Sequence, residues 1–61
     1  MNKEILEGNW EVLKGKLKKQ WANLTDDDLK EIEADRQVLV GTLQRKYGYT
    51  KEEVEKHLDN L

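Results

Sequence analysis

Residues 9–29 read NWEVLKGKLKKQWANLTDDDL, and the rest of the chain is predicted to pack against this segment. It contains both tryptophans of the chain and four lysines, followed abruptly by three consecutive aspartates. Its apolar residues recur at spacings of three and four, which places them along one side of an α-helix. The sequence therefore predicts an amphipathic first helix, whose apolar stripe consists of Leu6, Trp10, Leu13, Leu17, Trp21 and Leu24.

The start of this first helix has two interpretations. Asn2 is suited to cap it, because an asparagine side chain accepts a hydrogen bond from a free backbone N–H at a helix start. Alternatively, the helix breaks at Gly8-Asn9, and Asn9 caps a new start. The sequence leaves both interpretations open.

A second helix is predicted to begin after Thr25. Thr25 and Asp28 form a capping-box-like pair, and the three aspartates at 26–28 fall in the first turn, where the helix dipole favours anions. Gly48 follows the last periodic residue and is suited to a left-handed C-terminal cap. One continuous helix is therefore expected between these caps. Its stripe comprises Leu29, Ile32, Leu39, Val40, Leu43 and Tyr47, with Arg36 on the same line.

A third, shorter helix is predicted after Thr50, which forms a capping box with Glu53. Its apolar face would be Val54, Leu58 and Leu61. No segment alternates with a period of two, so no strand is predicted. The expected fold is all-α, a small bundle of three helices, or four if Gly8-Asn9 breaks the first, in a single domain over residues 1–61. The predicted core is Trp10, Leu13, Leu17, Trp21, Leu29, Ile32, Leu39, Leu43 and Tyr47.

Composition limits both the core and the location. The chain has 61 residues, of which 36% are apolar and 39% charged, so its core must be small. It has no cysteine, which excludes disulfides and thiolate metal sites. No apolar run is long enough for a membrane span, and no signal peptide opens the chain. The cytoplasm is therefore the expected location.

The net charge of −2 is unevenly distributed. Residues 1–24 carry +2 and residues 25–35 carry −5, because lysines dominate the first segment and carboxylates the second. Residues 36–48 return to +3 and residues 49–61 to −2. This alternation favours attraction between helices within a bundle over a surface directed at a polyanion.

A second set of small residues lies away from the apolar stripes. Glycine lowers helix stability unless another backbone approaches closely, so its recurrence at helical spacing calls for a reason. Internal packing on two sides, local flexibility and a partner surface all remain open. The candidate interaction face consists of Gly8, Val12 and Gly15 on the first helix and Ala34, Val38 and Gly41 on the second.

No arrangement of residues predicts catalysis or a metal site. The aspartates at 26–28 lack the alternation and the glycine of a calcium loop, so helix-start electrostatics explains them better. His57 is the only histidine and has no companion ligands, so a boundary position beside Val54 and Leu58 is expected. Glu31 and Asp35 would need a pocket to separate their pKa values. We predict no enzyme activity, no cofactor, no metal and no small-molecule substrate.

The lysines at 14, 16, 18 and 19 stand between two tryptophans, a pattern that suggests nucleic-acid binding. Helical geometry argues against it, because Lys16 and Lys19 point away from Lys14 and Lys18. The tryptophans, moreover, belong to the core stripe. Solvated lysines that extend over an apolar stripe are the preferred interpretation.

Several short motifs together resemble a known family. They are G-N-W at 8–10, G-K-L-K at 15–18, Trp21, L-T-D-D-D-L at 24–29, L-V-G at 39–41 and K-Y-G-Y at 46–49. In this order and spacing they resemble the CsbD-like family of small bacterial general stress-response proteins. The resemblance implies a cytoplasmic helical bundle without assigned enzymatic activity. It supplies no catalytic residues.

The function expected from the resemblance is non-enzymatic stress response, through an abundant hydrophilic protectant or through protein binding. An alternative is a protein interaction or homo-oligomerisation module that uses the small-residue faces around Gly15 and Gly41. Weak nucleic-acid binding through residues 14–19 is the third hypothesis.

Overall fold

The computed structural model describes residues 8–61. In this part of the chain there are four helices and no strand: α1 (Trp10–Gln20), α2 (Asp26–Ala34), α3 (Val38–Tyr47) and α4 (Lys51–Asp59). The prediction of an all-α bundle of three to four helices is confirmed. The expectations for Asn2 and Leu6 lie outside the described residues.

Side-chain caps begin three of these helices. The Asn9 Oδ1 atom accepts hydrogen bonds from the backbone N–H groups of Glu11 and Val12, at 2.9 and 3.3 Å. Thr25 and Thr50 each form a complete capping box, with Asp28 and Glu53 respectively. These bonds satisfy backbone donors that no helical carbonyl can reach. Asn9 therefore caps the start of α1, as the second interpretation of Gly8-Asn9 requires.

The prediction of one continuous second helix is wrong. The chain leaves helical geometry at Asp35, whose backbone is extended (φ −146°, ψ 106°), and α3 begins three residues later. The Asp35 carboxylate accepts a hydrogen bond from the N–H of Gln37 at 3.0 Å, so the side chain stabilises a turn in place of the helix. The break also places Arg36, the one charged residue on the predicted stripe, in the turn.

The helices enclose one hydrophobic core, and α3 packs against both α2 and α4. Trp10, Val40, Tyr47 and Leu61 are partly buried at its edge. Thr42 is fully buried, and its hydroxyl donates to the Val38 carbonyl at 2.9 Å. The buried apolar residues are Leu13, Leu17, Trp21, Leu24, Leu29, Ile32, Leu39, Leu43, Val54 and Leu58.

Candidate functional site

His57 lies in a cluster of aromatic rings at the edge of the core. This aromatic cluster consists of Trp21, Tyr47, Tyr49 and His57. The His57 ring stacks on Tyr49, with centroids 4.6 Å apart, and meets the edge of Trp21 at 6.1 Å. Tyr49 also stacks on Tyr47 at 5.5 Å, and its hydroxyl accepts a hydrogen bond from Trp21 Nε1 at 3.4 Å. His57 is partly buried, and these contacts are those of packing.

Tyr49 is the member of this cluster that the sequence analysis missed. The available signal was a tyrosine on each side of Gly48. Gly48 has φ 70° and reverses the chain direction after α3. The left-handed turn allows the two rings to stack on one another, and the capping box of Thr50 then starts α4 directly after Tyr49. The aromatic cluster thus joins α1 to both helices of the C-terminal half.

The three aspartates at 26–28 have different roles. Asp28 closes the capping box of α2 and binds the Lys46 ammonium of α3. That ammonium, together with the Thr25 N–H, holds the pKa of Asp28 below its usual value. Asp26 and Asp27 are exposed. Among residues 8–61, no three His, Cys, Asp or Glu side chains are grouped to hold a metal ion.

The charge pattern predicted attraction between oppositely charged segments. Lys46, in the positive segment 36–48, makes such a contact with Asp28, in the negative segment 25–35. Its ammonium also donates to the backbone carbonyl of Asn23, at 3.0 Å. The same loop is held by the N–H of Asn23, which donates to the Tyr47 hydroxyl at 3.3 Å. The last turn of α3 therefore stabilises the loop between α1 and α2 through hydrogen bonds.

An open groove lies between α1 and α2. This Trp10 groove has a volume of about 260 Å³ and is lined by Trp10, Lys14, Asp26, Leu29, Lys30 and Glu33. Its apolar residues are Trp10 and Leu29, and the other four side chains carry charges of both signs. The Arg36 guanidinium lies 5.1 Å from the centroid of the Trp10 ring, and its Nη1 donates to the Gly8 carbonyl at 3.0 Å. Arg36 thereby ties the turn between α2 and α3 to the start of α1.

On α1, the small-residue positions of the candidate interaction face are uncovered. Gly8 and Gly15 are exposed, and Val12 is 58% exposed. A Cβ atom at Gly15 would meet no atom of residues 8–61 within 4 Å, so no backbone of this range approaches it. Packing against another described residue therefore does not explain Gly15.

On the second segment, the predicted face is divided. Ala34 is exposed at the end of α2, whereas Val38 and Gly41 belong to α3, beyond the Asp35 break, and are half-buried. The Arg45 Nη1 atom lies 3.5 Å from where a Cβ of Gly41 would stand. The prediction of one continuous small-residue face from Ala34 to Gly41 is wrong, because the helix that would carry it is broken.

The lysine cluster and the tryptophans do not form one surface. Lys16, Lys18 and Lys19 are exposed, while Trp21 is 2% exposed. Lys14 lies in the Trp10 groove, beside the partly buried ring of Trp10. No described helix is long and apolar enough to cross a membrane.

The profile of the CsbD-like family matches residues 4–56 of this sequence. The chain belongs to the CsbD-like family. It is 52% identical to the UPF0337 protein YjbJ of Escherichia coli O6:H1 over 60 residues, which cover 98% of this chain and 87% of that protein. It is also 55% identical over 58 residues to a UPF0337 protein of Pectobacterium atrosepticum, covering 95% and 84% of the two chains. No solved structure matches the chain.

The motifs that carry the family resemblance have structural roles in this CsbD-like chain. Asn9 caps α1, Thr25 and Asp28 cap α2, and Gly48 ends α3 in a left-handed conformation. Trp21 is buried and contacts Tyr49 and His57 of the aromatic cluster. These residues act on helix boundaries and packing, so the motifs specify a fold.

Proposed function

We propose that this CsbD-like chain is a non-enzymatic stress-response protein of the cytoplasm. It acts as an abundant protectant through its charged, hydrated surface. The family supports a role in stress response, and the composition supports the mechanism. The mean hydropathy is −0.98, and 39% of the residues are charged.

One observation carries the protectant mechanism. Lys16, Lys18 and Lys19 of α1 and Asp27 and Glu31 of α2 are exposed, and none forms an ion pair with another described residue. Their charges are therefore hydrated by water and available to the surroundings. Charged surfaces of both signs keep a protein soluble at high concentration, which a protectant requires.

The test is protection of a sensitive enzyme, such as lactate dehydrogenase, during drying or repeated freezing. The matched control is the variant K18Q/K51Q/E52Q/D59N, which removes two charges of each sign at exposed positions and keeps the net charge. We expect the wild-type chain to preserve more dehydrogenase activity than the variant at equal mass. Equal preservation by the two would contradict the role of the charged surface.

A second candidate function is a protein-binding module. The open space at Gly15 and the exposure of Val12 favour it on α1, whereas Arg45 covers Gly41. Nucleic-acid binding has no comparable support, because Trp21 is buried while Lys16, Lys18 and Lys19 are exposed. The groove that Trp10 shares with Lys14 also contains the carboxylates of Asp26 and Glu33. Retention of labelled DNA at low salt would favour nucleic-acid binding, since phosphate contacts strengthen there.

A further inference from the structure

The side of α1 that faces away from the core combines an apolar residue, a small residue and two cations. This α1 outer face consists of Val12, Gly15, Lys16 and Lys19. All four residues are exposed, and Val12 is the exposed large hydrophobic residue of the described chain. The open space at Gly15 would allow another helix to approach the α1 backbone closely.

The side of α2 that faces away from the core has the complementary character. This α2 outer face consists of Asp27, Glu31 and Ala34, which follow one another at spacings of four and three. All three are exposed, and neither carboxylate forms an ion pair with a described residue. The exposed Lys30 borders this face on the side of the Trp10 groove. Ala34 provides a small side chain at the end of the face, where Val12 of another molecule would need space.

The two outer faces match in length and in the order of their residues. Val12 to Lys19 and Asp27 to Ala34 each span seven positions, or about 10.5 Å along a helix. In an antiparallel arrangement with Lys19 opposite Asp27 and Val12 opposite Ala34, Glu31 would lie opposite Gly15 and beside Lys16. This arrangement also places the C-terminal end of α1 beside the N-terminal end of α2, which the helix dipoles favour.

We propose that the CsbD-like chain associates with further copies of itself, α1 outer face to α2 outer face. Because the two faces differ, each molecule can bind one neighbour through α1 and another through α2. Such a head-to-tail contact forms chains of molecules when the rotation does not close a ring. The contact is electrostatic at its rim, so it is strongest at low ionic strength. It is independent of the protectant role, which a monomer can also fulfil.

Charge reversal tests the contact by sedimentation of the purified full chain. The variant K16E/K19E makes both outer faces acidic, and D27K/E31K makes both basic. We expect each variant alone to associate at least about ten-fold more weakly than wild type. An equimolar mixture of the two should regain association, because each variant then meets an oppositely charged face. The matched control, K51E/K56E, changes the net charge as much as K16E/K19E does and should associate like wild type.

A second variant is directed at the close approach. At Gly15 a Cβ atom would have no described atom within 4 Å, and glutamate is a better helix former than glycine, so Gly15→Glu should keep its fold by circular dichroism. The added carboxylate would face Asp27 and Glu31 of the neighbour, and we expect association to be lost.

Several results would overturn the proposal. One is a monomer at all concentrations up to about 1 mM in low salt, where contacts of this strength should be populated. Others are unchanged association of K16E/K19E or of Gly15→Glu, equal weakening by the control, or no recovery in the mixture. The assay contains no client enzyme, so its failure is distinct from failure of the protectant proposal.

Discussion

Trp21 is 2% exposed and Trp10 is only partly buried, although both belong to the same apolar stripe of the first segment. Trp21 donates a hydrogen bond to Tyr49 and meets the ring of His57. Trp10 lines an open groove and is covered on one face by Arg36. The position of a residue on a stripe therefore sets its side of the helix, whereas the number of elements that surround the side chain sets its contribution to stability.

The largest expected effect is that of Trp21→Ala. Removing a buried tryptophan should lower the free energy of unfolding by about 3–5 kcal/mol. A domain of this size has roughly 3–9 kcal/mol in total, so most or all of its stability would be lost. Helicity by circular dichroism and a urea titration measure the effect. A variant with an unchanged urea midpoint would show that the aromatic cluster does not stabilise the fold.

Trp10→Ala should have a smaller effect, about 1–2 kcal/mol, because the ring is partly exposed and contributes a cation–π contact with Arg36. The same urea titration measures it. Arg36→Lys is a useful companion, since it keeps the positive charge but loses the planar guanidinium that covers the ring. If Trp10→Ala destabilised the chain as much as Trp21→Ala, the contrast between the two sites would be wrong.

Removing the helix cap near Trp21 should lower the free energy of unfolding more than removing the cap near Trp10. Thr50→Ala removes one hydrogen bond of the box that starts α4 beside Tyr49, and should cost about 1–2 kcal/mol. Asn9→Ala, at the start of α1 beside Trp10, should cost about 0.5–1 kcal/mol. Thr50→Ser retains the hydroxyl and is the control. Thermal unfolding of the variants in parallel would decide the order.

The smallest effect concerns pH and the Asp28–Lys46 pair. The pKa of Asp28 is lowered in the folded chain, so as the pH falls the unfolded chain takes up the proton first. The stabilisation by ionised Asp28 is complete at pH values well above the ordinary aspartate pKa of about 3.9. It is lost as the pH falls through the pKa that Asp28 has in the folded chain. Urea midpoints between pH 7 and pH 3 should therefore fall less in Asp28→Asn than in wild type. Asp27→Asn is the matched control, and an equal fall in Asp28→Asn and wild type would contradict the role of the pair.

Local signals in the sequence predicted much of the fold. Thr25 and Thr50 could be identified as caps because a capping box needs only two residues three positions apart. Gly48 could be identified as a C-terminal cap because glycine adopts the left-handed conformation most readily. The break at Asp35 was missed, since Asp and Arg are common within helices and no glycine or proline marks the turn. The charged Arg36 on an apolar stripe was the available signal.

The candidate interaction face could be predicted only in part. The exposure of Val12 and Gly15 follows from their position opposite the stripe of α1. The separation of Ala34 from Gly41 could not be predicted in this way, because it depends on the helix break at Asp35.

Helix period and capping are local properties, so the sequence alone predicted the helical class, the starts of α2 and α4, and the residues that face a core. Tertiary packing was needed to show that Trp21 is enclosed and Trp10 is not, that Tyr49 stacks on His57, and that the outer faces of α1 and α2 are exposed. Those outcomes depend on which elements meet across many residues, and burial is determined by the packed neighbours rather than by the spacing along one helix.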